Sequence, residues 1–164
     1  MTSDCSVQAE SNTAVILAAA TKDESLVPPL ISLFYASVLA IIFLLLSWRV
    51  VALRRDLRVG LGSGGQKQLE LAVRAHGNFS EYVPLALVVL LLLESGTATP
   101  VWLLHLLGSM LLVGRVLHGL FGLNLGEGKS VGRFWGTLLT WLMLLVSALI
   151  GLFVVIAGWL PTQP

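Results

Sequence analysis

The chain has 164 residues, of which 56% are hydrophobic and only 12% charged. With a mean hydropathy of +0.89, it is too apolar to offer water an ordinary protein surface. Ten basic residues against nine acidic ones leave a formal charge of +1, which gives nucleic-acid binding no electrostatic footing. The single cysteine, Cys5, excludes an intrachain disulfide framework and a cysteine-rich metal site.

Residues 1–26 lack the basic start and long apolar run of a secretory signal, so they are expected to form a flexible N-terminal tail. Four stretches then reach the length of about 20 apolar residues that spans a bilayer: 27–53, 66–94, 101–123 and 134–160. The heart of the first, LISLFYASVLAIIFLLLSW, carries no charge. The second begins polar and ends apolar, the third contains His105, Arg115 and His118, and the fourth is uncharged throughout. Short links predict one domain over 27–160, an all-α integral membrane protein built as a four-helix transmembrane bundle. The first link carries Arg54, Arg55, Arg58 and Lys67, with Arg49 and Arg74 flanking it, and the third carries Lys129 and Arg133. The second link, ESGTATP, has no Lys or Arg. The basic links belong on the cytoplasmic side, which places both termini outside the cytoplasm.

The second span holds the least ordinary feature. In RAHGNFSEYVPLALVVLLLL, ionisable groups run straight into an apolar helix. At about 100° per residue, Glu70, Arg74, Asn78 and Glu81 form one stripe about 80° wide, while His76 points elsewhere. The apolar part after Glu81 is too short to cross alone at about 12 residues, so part of the stripe must lie below the headgroups. Glu81 lies about 20 Å from Glu94 at the outer end of its helix, and Arg115 about 22 Å from Pro100 at the outer end of the next. Equal depth on antiparallel helices predicts a Glu81–Arg115 pair, completed by Asn78 and His118. Such a cluster can be a structural clamp, but five groups together point to a ligand.

Other apparent motifs fail. GEGKS at 126–130 would need its first phosphate-loop glycine at Leu123, with no strand before it. Asn78-Phe79-Ser80 fits a glycosylation pattern on the wrong side of the membrane. No HExxH occurs, and three histidines on two helices predict no metal site. A GxxxG at Gly132 and Gly136 permits close helix approach. A polar site of this kind, cationic on balance and open to cytoplasm and lipid, suits glutathione, whose carboxylates match arginines and whose ammonium matches Glu81. An anionic lipid headgroup suits it as well.

RAHGNFSEYVP together with GRVLHGL at 114–120, preceded by RVGLGSGG, resembles the MAPEG family, the membrane-associated proteins in eicosanoid and glutathione metabolism. The likeness runs over about 30–159 and is strongest to small bacterial members. It implies a homotrimer of four-helix subunits in a bacterial inner membrane, with glutathione as co-substrate held between subunits near the cytoplasmic face. By position, Arg74, Asn78, Glu81, Arg115 and His118 would contact glutathione. Arg54 would reach a carboxylate, and Arg133 would stand beside the thiol as the catalytic residue. The chain departs from eicosanoid-forming members by reading Phe121-Gly122 one turn after His118, where several of them carry a tyrosine. Two functions are compatible with this pattern. One is a glutathione-dependent transferase or peroxidase acting on lipophilic electrophiles or lipid hydroperoxides. The other is a non-catalytic membrane protein that binds glutathione or lipid headgroups.

Overall fold

The computed structural model describes residues 28–121 and 131–159. The expected N-terminal tail lies outside these residues, as do Gly122 and Lys129. Four helices follow in chain order: α1 (Leu30–Leu57), α2 (Lys67–Gly96), α3 (Val101–Val116) and α4 (Val131–Trp159). A single π-helical turn, Leu117–Phe121, extends α3. All four are long and apolar enough to cross a membrane. The protein is an all-α integral membrane protein. At about 1.5 Å per residue, the longest helices run well beyond a hydrocarbon core of about 30 Å. The polar first half of α2 therefore reaches into the headgroup region.

The ends of α1 show how the bundle closes. Pro28 and Pro29 precede α1 and supply no backbone N–H, so the helix starts at Leu30. Its first free N–H groups are met from another helix. Glu94, in the last turn of α2, accepts from Ile31 N at 2.9 Å and from Ser32 N at 2.6 Å through its two carboxylate oxygens. This contact satisfies orphan donors and places the anion at the positive end of α1. It also ties the start of α1 to the end of α2, so the two run antiparallel. At its other end α1 stops at Arg58, which adopts the left-handed conformation at φ 54°. The Arg54 guanidinium folds back onto the following loop, donating to the carbonyls of Gly60 at 3.3 Å and Gly62 at 3.0 Å.

The core is built from one stripe per helix. Leu39, Phe79, Leu90, Leu107, Leu111 and Met143 meet along the bundle axis. On α4 the buried positions are Gly136, Thr140, Met143 and Ser147, a spacing of four, three and four that marks one helical face. Its other faces present Phe134, Trp135, Trp141, Phe153 and Trp159 outward, as a helix bathed in lipid should. Where α3 and α4 cross, backbone touches backbone. A Cβ built on Gly136 would lie 2.6 Å from the Gly114 carbonyl oxygen and 2.7 Å from His118 N.

Toward the end of the bundle where α1 begins, the buried Tyr35 hydroxyl donates to the His105 carbonyl at 3.0 Å and meets Ser109 Oγ at 2.9 Å. Gly108 leaves the space its ring occupies. Helix-to-helix hydrogen bonds in a membrane contribute about 0.6 kcal/mol on average and up to about 1.7. Tyr35→Phe is accordingly expected to cost about 1 kcal/mol in a reversible detergent-unfolding measurement. An unchanged unfolding midpoint would contradict the contact.

Candidate functional site

The polar stripe of α2 becomes one wall of a cleft of about 690 Å³. Arg74, Asn78 and Glu81 line it from α2, His118 from the π turn and Arg133 from the first turn of α4. These five residues come from three separate segments of the chain, and the fold brings them to one opening. Spacing explains the α2 contribution, since positions three and four apart share a face. Arg133 is placed differently. A cation in the first turn of a helix opposes the helix dipole, at a cost of about 0.3–1 kcal/mol, and α4 carries no acidic residue in that turn. Its charge favours an anion in the cleft.

Arg115 lies beneath the cleft rather than in it. Its side chain is only 2% exposed. One terminal nitrogen donates to Asn78 Oδ1 at 2.7 Å. The other donates to Thr140 Oγ1 at 2.6 Å and to the Gly136 carbonyl at 3.2 Å. The Tyr82 ring lies 5.5 Å from the guanidinium carbon, within cation–π range. Thr140 in turn donates to the Gly136 carbonyl at 3.0 Å. One side chain from α3 thus joins α2 to α4.

The expected Glu81–Arg115 pair does not form among the described residues. Glu81 is exposed on the cleft side, while the guanidinium takes Asn78 instead. The two α2 residues differ by three positions, about 4.5 Å in depth but about 60° around the helix. Depth alone admits both partners, and rotation selects Asn78.

The MAPEG family profile matches residues 32–153. The chain belongs to the MAPEG family. It is also similar to the inner membrane protein YecN of Escherichia coli K12, with 40% identity over 89 residues, covering 54% of this chain and 67% of YecN. YecN of Escherichia coli O6:H1 strain CFT073 matches to the same extent. No solved structure matches the chain significantly.

In this MAPEG chain, Arg54 stands apart from the cleft. One of its terminal nitrogens is engaged by the loop after α1, and it lines a separate recess of about 380 Å³ with Arg55 and Arg58. Within one subunit α1 continues to Leu57 and Arg54 turns onto the loop that follows the helix. His76 faces α1, where its Nε2 meets Ser47 Oγ at 2.8 Å and its ring packs on Phe43.

Sequence reasoning missed two groups. Lys67 lines the cleft beside Glu70 of the expected stripe, and stepping that stripe back from Glu70 by three positions would have found it. Thr140, a hydroxyl in an otherwise apolar span, gave no periodic signal of its own.

Proposed function

We propose that this MAPEG protein is a glutathione-dependent enzyme of the bacterial inner membrane, acting on lipophilic electrophiles or lipid hydroperoxides and assembled as a homotrimer. The observation that carries the reading is the convergence of Arg74, Asn78, Glu81, His118 and Arg133 on one cleft at the polar end of apolar helices. A charged tripeptide enters such a site from the cytoplasm, and an apolar acceptor enters from the bilayer. The basic links support the cytoplasmic orientation of this end, and the relatives named as inner membrane proteins support the compartment.

Arg74 suits a glutathione carboxylate, and Glu81 suits the ammonium. Arg133 stabilises the thiolate, since a neighbouring cation lowers a thiol pKa from about 8.5. In transfer, the thiolate lone pair forms a C–S bond and the leaving group departs with its electron pair. In reduction of a hydroperoxide, sulfur attacks the O–O bond, giving an alcohol after protonation and a glutathione sulfenic acid. A second glutathione converts that to the disulfide and water.

Calorimetric titration of glutathione into the detergent-solubilised protein tests the reading. Saturable binding is expected, weakened about tenfold or more in Arg74→Ala, in keeping with the loss of one charge-assisted hydrogen bond worth about 1.5–3 kcal/mol. No heat of binding would refute the glutathione site. Binding with no consumption of any halonitrobenzene or lipid hydroperoxide would leave a non-catalytic binding protein.

A further inference from the structure

Arg115 was expected to touch the ligand, yet it is sealed beneath the cleft and bonded to Asn78, Thr140 and Gly136. None of these groups is anionic. A buried cation without a contacting carboxylate is costly, and among the described residues this one is held by neutral acceptors. What it accomplishes is the orientation of one side chain. A guanidinium only donates, so the Asn78 atom it touches must be the amide oxygen. Asn78 lines the cleft, and with its oxygen turned down onto Arg115, its two N–H donors are left for the cleft side.

We propose that Arg115 is a positioning residue, anchored by Thr140, that locks the Asn78 amide so that the cleft receives a hydrogen-bond acceptor bearing negative charge at that point. The inference rests on the reading that this cleft is the ligand site, and it assigns the part of glutathione found there. A carboxylate or peptide carbonyl oxygen meets Asn78, and the ammonium lies away from it, toward Glu81. Arg115 polarises the amide it holds, so its charge is felt by the ligand without contact. Thr140 belongs to the same device although it is fully buried. It takes the second guanidinium nitrogen at 2.6 Å and fixes the plane in which the first reaches Asn78.

The decisive substitution is Asn78→Asp, which keeps the shape and the oxygen that accepts from Arg115 but turns the cleft-facing donor into an acceptor. In ligand-free protein, Asn78→Asp is expected to melt at or above the wild-type temperature, because the buried guanidinium gains a counter-ion, whereas Asn78→Leu melts lower. Glutathione affinity is expected to fall at least tenfold in Asn78→Asp. Thr140→Val is expected to weaken glutathione binding several-fold from a position that cannot touch the ligand, and Thr140→Ser to restore it. Wild-type affinity in Asn78→Asp, or unchanged affinity in Thr140→Val, would overturn the proposal. So would an Asn78→Asp protein as unstable as Asn78→Leu. Should wild type bind no glutathione while Asn78→Asp is as stable as wild type, the Arg115–Asn78 lock stands and the glutathione reading fails.

Discussion

Replacing Arg133 by alanine is expected to lower glutathione-dependent turnover about 100-fold while leaving the assembly and its melting temperature close to wild type. The size of the effect follows from two contributions. A free thiol of pKa about 8.5 is only about 3% ionised at pH 7, so complete ionisation raises the reactive fraction by at most about 30-fold. Part of that is returned, because a thiolate of lower pKa is intrinsically a weaker nucleophile. The remainder comes from holding the sulfur where the acceptor meets it, since a modest misplacement of reacting groups already costs about 100-fold. Stability should change little, because removing a cation that opposes the dipole of its own helix gains about 0.3–1 kcal/mol, which offsets the loss of the contacts this half-buried side chain makes. Initial rates with a halonitrobenzene, measured beside a thermal melt, check both halves. Turnover within a factor of three of wild type would remove Arg133 from the chemistry.

Gly136→Val is expected to damage the fold itself, by about 3 kcal/mol or more. Inserting atoms into a packed contact typically costs about 1–3 kcal/mol when side chains can shift. Here the obstacles include backbone, with the Gly114 carbonyl and His118 N both under 3 Å from the new Cβ, and backbone yields less readily. Separating α3 from α4 also moves the Gly136 carbonyl and the Thr140 hydroxyl away from Arg115, so the lock on Asn78 loosens with the helix contact. The site should therefore lose ligand affinity together with stability. Gly151→Ala, on the same helix but with open space around its Cβ, provides the control and should not destabilise, since alanine favours a helix over glycine by about 0.5–1 kcal/mol. Reversible unfolding in mixed micelles compares the two. Equal stability of Gly136→Val and wild type would contradict the close crossing.

The membrane architecture is readable from uninterrupted apolar runs because a bilayer leaves few alternatives to a helix. The polar stripe of α2 is readable for a similar reason, as spacing of three and four fixes a face whatever surrounds it. Contacts between helices are harder to read. Asn78 and Glu81 lie within one turn of the same depth, and charge complementarity favours the wrong one. Only the relative rotation of α2 and α3 separates them. The π turn at Leu117–Phe121, which carries His118 to the cleft, leaves no mark in hydropathy, since an extra residue in a turn preserves composition. Gly136 is visible as half of a GxxxG, yet its partner is Gly114 on another helix. The turn of Arg54 onto the loop carbonyls beside it is equally invisible in the sequence.

The most direct test of a glutathione thiolate in this cleft is a difference absorbance titration at neutral pH, following the thiolate band as glutathione is added to wild type and to Arg133→Ala. A saturable thiolate signal in wild type, absent or much reduced in Arg133→Ala, is the predicted result. Saturable binding with no thiolate in either protein would contradict activation by Arg133, and an equal thiolate signal in both would place the activating charge elsewhere.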